Sequence, residues 1–228
     1  MDNRVRVIDV NIDLASAKEA MKVSLEYLDT EPMNVVELVT AETLLLAKQN
    51  GELKAAVEQS DLILAGQKEI LEAAGVGDAR LLREAGACAY LKMYLKYLHR
   101  IRARLYLLAG TEEELLLQRE YLSSRYRGIQ LAGGSAGSEY GGSAADDMLV
   151  NAINGSESDC VLATLPAPGR ELFAVRNRER INARMWLGTD DVMKTSRADR
   201  QTERGLLSYL DRLFFIREAR KSRRAEKE

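Results

Sequence analysis

The chain is poor in the residues on which many enzyme classes depend. It carries one histidine, two cysteines, one tryptophan and three prolines in 228 residues. One histidine with two distant cysteines, Cys88 and Cys160, cannot supply a zinc site, and the pair lacks CxxC spacing. Both cysteines sit among apolar neighbours and read as packing residues of a reducing compartment. No run of about 18 consecutive apolar residues occurs, so no membrane-spanning helix is expected. Asp2 and Arg4 precede only a short apolar alternation, which is not a signal-peptide pattern. The formal net charge of −2 gives no electrostatic case for nucleic acid. What remains, 46% hydrophobic and 30% charged residues, fits a folded cytoplasmic chain long enough for one substantial domain.

Short β-rich runs alternate with helical patterns along that chain. Val5 to Val10 reads as a first strand. Ser16 with Glu19 forms a capping box that opens a helix running through Leu28. "NVVELV" (Asn34 to Val39) predicts the next strand, followed by helices from Ala41 and from Glu52 to Gln59, with Gly51 as the break. "SDLILAGQKEI" (Ser60 to Ile70) is a buried strand ending in Ala65-Gly66-Gln67, with a short helix from Lys68 to Ala74 beyond it. One long helix is expected from Asp78 to His99. "RLYLLAG" (Arg104 to Gly110) is a strand, and Thr111 with Glu114 caps a helix reaching Tyr126. "GIQLAGG" predicts a strand entering a loop, Ala145 to Ile153 a helix, and Asp159 to Thr164 and Ala183 to Gly188 two further strands. Strands alternating with helices imply βαβ units, hence an α/β, Rossmann-like fold with a largely parallel sheet.

Few motifs carry chemistry by themselves. The glycine-rich "GGSAGSEYGGSA" (Gly133 to Ala144) matches no phosphate-loop spacing and reads as a surface loop. "GVGDAR" (Gly75 to Arg80) lacks the last glycine of the dinucleotide fingerprint and follows a helix, so it is rejected. His99, beside Arg100 and Arg102 at a helix end, reads as a C-terminal cap. Asp146-Asp147 and Asp190-Asp191 are adjacent carboxylates that could hold a divalent metal; neither pair is specific, and the first lies where a helix dipole favours carboxylates anyway. Past residue 195 the chain changes character. Leu206, Leu210, Leu213 and Phe214 share a helix face, and Arg217, Arg220, Lys221, Arg223 and Arg224 follow. Two readings stay open for this appendage, 196–228: contact with anionic lipid, or docking on its own domain, 1–195.

The collinear order of these pieces resembles the WecG/TagA/CpsF family of bacterial glycosyltransferases. "VIDVNID" is similar to the family's opening strand and turn, "VTAETLLLAKQN" to its T-P-N-A-E segment, and "SDLILAGQKEI" to the strand entering its P-D-G loop. "REAGAC" resembles R-V-x-G-x-D, "RLYLLAG" the Y-L-L-G strand, "LPAPGRE" the G-x-P-K-Q-E turn, and "SRADR" the R-A-P stretch before the terminal helices. The resemblance implies transfer of an N-acetylhexosamine from a UDP-sugar to an undecaprenyl-diphosphate-linked acceptor, in surface-polymer synthesis at the inner membrane face. It implies no essential metal or other cofactor, a terminal appendage that completes the site at the membrane, and a homo-oligomer in some members. By the same resemblance Thr40, Gly66, Gln67, Arg83, Arg170, Glu171 and Arg197 would line the substrate site, with Arg83 and Arg170 on the diphosphate, which suits guanidinium forks.

The departures from the family pattern fall at its reactive positions. Gly66 stands where the family has the aspartate proposed as general base. Leu38 and Thr40 replace its Thr and Asn, Cys88 replaces a second Asp, and Gly169 and Arg170 replace Lys and Gln. General-base catalysis typically contributes about 10²–10⁴-fold, and glycine can neither accept a proton nor orient a hydroxyl. Lys68, Glu69 and Glu42 are nearby candidates to compensate; the catalytic residue stays unassigned. Three readings stand: a diverged but active transferase, a degenerate paralogue acting as a binding or regulatory partner, and a nucleotide- or sugar-phosphate-binding regulator.

Overall fold

A computed structural model describes residues 3–137, 143–193, 215–219 and 221–222. The chain opens with an antiparallel hairpin, β1 (Arg4–Val7) and β2 (Val10–Asp13), separate from the main sheet. The expected single strand is therefore two. Its turn residues, Ile8 and Asp9, both have positive φ, 46° and 64°, as a tight hairpin turn of this hand requires. A β-branched residue rarely adopts that conformation; here Ile8 is held there by full burial.

Six parallel strands follow in the spatial order β4-β3-β8-β7-β5-β6. They are β3 (Asn34–Val39), β4 (Leu62–Ala65), β5 (Arg104–Ala109), β6 (Gln130–Ala136), β7 (Cys160–Thr164) and β8 (Met185–Gly188). The last of these six strands in chain order, β8, is thus an interior strand, between β3 and β7. Even-numbered residues of β3 and β4, such as Leu38 and Leu64, face one layer, built from α1 (Ala17–Tyr27), α6 (Ala89–Ile101) and α7 (Glu112–Arg125). Val35, Tyr106, Val161 and Trp186 face the other layer, α8 (Ser143–Gly155) and α9 (Gly169–Asn177). A third cluster joins Val39 and Ile63 to α2 (Ala41–Gln49), α3 (Gly51–Glu58), α4 (Lys68–Ala73) and the hairpin. Helices on both faces of a parallel sheet make the fold a doubly wound α/β layer structure of the Rossmann-like kind.

Both capping boxes form. Ser16 Oγ accepts from the Glu19 N–H while Glu19 accepts from the Ser16 N–H, and Thr111 and Glu114 do the same. Caps of this kind are worth about 1 kcal/mol each. Three expectations fail. The helix expected over Asp78 to His99 is broken into α5 (Ala79–Gly86) and α6, because Cys88 turns left-handed at φ 51°. The glycine-rich stretch is not loop from its start: Gly133 and Gly134 belong to β6. A Cβ on Gly133 would lie 2.7 Å from the Tyr106 ring, so the glycine makes room for that side chain in the next strand. And "LPAPGRE" is not a turn alone, since α9 starts at Gly169.

Asp13, at the end of the hairpin, is buried and works as a joint. One carboxylate oxygen accepts from Arg4 Nε at 2.7 Å and the other from the Ile63 N–H at 2.9 Å, on the sheet's edge strand β4. At the far end of the chain, Phe215 and Ala219 bury themselves in the hairpin–α2–α3 cluster, and Lys48 bonds Glu218 at 2.7 Å. This stretch therefore docks on the domain, with Arg217 exposed. Leu206, Leu210, Leu213, Phe214, Arg220, Arg223 and Arg224 lie outside the described residues, as does Arg197. No helix among the described residues is long and apolar enough to cross a membrane.

Candidate functional site

In open parallel sheets the strand ends converge on a crevice at their carboxyl side, and ligands bind there. Such a cleft opens beyond β3, β4 and β8. Leu38 and Thr40 come from the end of β3, Leu64, Ala65 and Gly66 from β4, and Thr189 and Asp191 from the segment after β8. It is also lined by Leu14, Ala15, Ala17 and Ala20 at the start of α1, and by Leu81, Glu84, Ala85 and Cys88 to Leu91 of α5 and α6. The break at Cys88 lets those two short helices bend around the opening.

The lining is mostly Leu and Ala. Among the described residues its charged members are three carboxylates, Asp13, Glu84 and Asp191, with neither Lys nor Arg. All three have partners: Asp13 as described, Asp191 within its own segment, and Glu84 through the Ala17 N–H at 2.6 Å and Arg80 Nε at 2.8 Å. Burial raises the Glu84 pKa, but these two hydrogen bonds outweigh it and hold the carboxyl below its ordinary range. Asp191 accepts from the Met193 N–H at 2.7 Å. Tyr90 shares a 2.7 Å hydrogen bond with Ser24, and burial raises its pKa.

Of the residues expected at the substrate site, Thr40 and Gly66 do line the cleft. Thr40 is also the N-cap of α2, its Oγ accepting from the Thr43 N–H. Gln67 turns toward the same helix end, where its Oε1 accepts from the Ala41 N–H at 3.2 Å. Two N-terminal donors of α2, groups suited to a phosphate, are therefore taken by side chains of the chain itself. Gly66 is a packing requirement as well as a vacancy. A Cβ there would lie 2.8 Å from the Val39 carbonyl oxygen and 3.0 Å from that of Leu38, backbone atoms that cannot step aside cheaply. Of the candidates to compensate for it, Glu69 is buried on α4, Lys68 pairs with Glu72 at 3.7 Å, and Glu42 is exposed; none lines the cleft. Arg83 sits exposed on α5, also outside the lining.

Arg170 and Glu171 are placed elsewhere. Arg170 is only 1% exposed and lies behind the sheet, in the first turn of α9. Its Nε is 3.2 Å from Glu37, one terminal nitrogen bonds Glu171 at 2.8 Å, and the other bonds Asp190 at 3.2 Å and the Leu165 carbonyl at 3.4 Å. With its donors turned inward, this guanidinium is not poised to hold a diphosphate in the cleft. Burial alone would lower its pKa, but Glu37, Glu171 and Asp190 reverse the sign and raise it. Glu37 is fully buried, and burial pushes its carboxyl up to about 8 against the opposing pull of Arg170. A carboxylate inside the otherwise apolar strand "NVVELV" was the available signal for this cluster.

The remaining motifs have structural partners. His99 Nδ1 accepts from the Gly128 N–H at 2.7 Å, so it tethers the turn before β6 rather than capping its own helix. Asp146 pairs with Arg176 at 3.0 Å and Asp147 with Arg180. Among the described residues no group of three or more His, Cys, Asp or Glu side chains is placed to hold a metal ion.

Fold and cleft define a doubly wound α/β protein with a cleft at the carboxyl ends of its parallel strands. The model of the Glycosyl transferase WecG/TagA/CpsF family matches residues 5–196, and the chain belongs to that family. No curated protein matches it.

Proposed function

We propose that the cleft beyond β3, β4 and β8 binds a UDP-N-acetylhexosamine, and that the chain serves transfer of that sugar to an undecaprenyl-diphosphate-linked acceptor. Membership of a glycosyltransferase family supports this reading. The observation that carries it is the position of the cleft, at the strand ends where doubly wound folds bind nucleotides, with Thr40 and Gly66 on its wall. Asp191 lines the same cleft at the end of β8 and is the carboxylate best placed to face a reacting hydroxyl. Arg83 and Arg197 are proposed for the diphosphate, and the basic terminal segment for contact with anionic lipid at the inner membrane face.

A second reading has a specific observation in its favour. Gly66 is packed against two backbone carbonyls, so the family's carboxylate could not be restored there without moving β3. Together with the absence of Lys and Arg among the described lining residues, this favours a degenerate paralogue that binds or regulates an active partner.

Calorimetric titration with UDP and with UDP-N-acetylmannosamine separates the two, followed by a transfer assay on a lipid-linked acceptor. Micromolar binding with turnover that falls at least 100-fold in Asp191→Asn supports the first reading, since a general base contributes about that much. Absence of binding at millimolar ligand would reject a donor site. Binding without turnover would select the second reading.

A further inference from the structure

The buried cluster behind the sheet shares its backbone with the front wall of the cleft. Glu37 lies on β3, Asp190 just beyond β8 and Leu165 just beyond β7, and these three strands are neighbours in the sheet. Arg170 touches all three. Its partner Asp190 stands between Thr189 and Asp191, the two residues this segment contributes to the cleft. Gly188 completes the arrangement: paired with Glu37 across β3 and β8, it has no Cβ, and one built there would fall inside the Glu37 carboxyl group.

We propose that Arg170 is a positioning residue whose guanidinium fixes the Thr189–Asp191 wall of the cleft, and that the proton on Glu37 sets how firmly it does so. The charges explain the linkage. One guanidinium faces three carboxyl groups: Glu37 from β3, Glu171 from α9 and Asp190 from the segment after β8. These are the charged groups that act on Glu37, and its remaining polar neighbour, Trp186 on β8, does not titrate. With Glu37 neutral, Arg170 is shared between Glu171 and Asp190, and the segment after β8 is held. Once Glu37 loses its proton, it competes for Arg170 and repels Asp190 across a low-dielectric interior. The wall loosens as a result. Whatever the cleft binds would then meet a less ordered wall at higher pH. The importance of the wall for a ligand rests on the cleft being the binding site, but the clamp itself can be read without any ligand.

Trp186 is the chain's one tryptophan and stands two residues before Gly188 on the same face of β8, which makes its emission a reporter of the Glu37 charge. The test is a pH titration of tryptophan fluorescence, wild type against Glu37→Gln, with amide hydrogen exchange read at Thr189 and Met193. The wild type should show one transition with a midpoint near the Glu37 value of about 8, and Glu37→Gln should show none. Exchange at the two amides, corrected for its intrinsic pH dependence, should quicken above that midpoint only in the wild type. Arg170→Gln should speed it by about ten-fold at lower pH, leaving β5 amides unchanged, while Arg170→Lys retains most protection. A transition that persists in Glu37→Gln, a flat wild-type profile, or exchange rising evenly across the sheet in Arg170→Gln would each overturn the proposal. If Arg170→Gln does not fold, Arg170→Lys and Glu37→Gln still decide it. Since neither readout uses a nucleotide sugar, failure to bind UDP leaves this result untouched.

Discussion

Glu37 and Leu38 are consecutive on β3 and point to opposite faces of one sheet. Leu38 opens into a cleft whose described lining is mainly Leu and Ala, without Lys or Arg. Glu37 opens into a cluster with a buried guanidinium and two more carboxyl groups. The cleft side is thus apolar while a strong charge cluster sits a strand's thickness behind it. The pairing teaches that Arg170, expected from the sequence at the substrate site, spends its donors on the cluster behind the sheet instead of on the cleft.

The comparison can be broken most directly at Arg170. Replacing it by Ala strands Glu37 and Glu171 without their counter-charge, and loss of one partner from a buried pair costs about 3–5 kcal/mol. Urea unfolding should show that loss. A stable Arg170→Ala protein that had lost only nucleotide affinity would return Arg170 to the ligand. Next in size is Gly66→Ala, which should destabilise by about 1–3 kcal/mol by overpacking against the β3 carbonyls. Gly66→Asp should lose at least as much and gain no transferase activity; normal stability with new turnover would show a vacant catalytic position after all.

Glu37→Gln sharpens the comparison through pH. The folded carboxyl is raised to about 8 from an ordinary 4.5, so the native state holds a proton that the unfolded chain releases. The contribution is whole below pH 4.5 and is lost as pH rises through 8. Melting temperature measured from pH 5 to about 9 should therefore decline in the wild type more steeply than in Glu37→Gln. An identical slope would mean that Glu37 is ionised throughout. Smallest is Lys48→Ala, which removes a partly exposed pair with Glu218 and should cost about 0.5 kcal/mol or less. A larger loss would mean that charge, rather than Phe215, docks the terminal segment.

How much of this could be read from the chain depended on range. The helices opened by Ser16/Glu19 and Thr111/Glu114 were legible because a capping box is written within four residues. The alternation of strands and helices gave the fold class for the same reason. Cys88 left no such mark: it bends the chain left-handed without being Gly or Asn, where α5 packs on α4 and α6. Gly133 resembled a loop residue by composition, yet its reason is the ring of Tyr106 in another strand. At the site, Thr40 and Gly66 were found from a local segment. The environment of Arg170 was not, because its partners come from residues 37, 165, 171 and 190, which only the folded sheet assembles.

The hairpin joint at Asp13 has a consequence for solubility. An outermost strand normally offers its free N–H groups to any passing chain, the usual seed of edge-to-edge aggregation. On β4 the Ile63 N–H is claimed by Asp13, with the hairpin lying alongside. The hairpin thus acts as a cover over the sheet's border, and Asp13→Ala would expose a template for unwanted strand pairing.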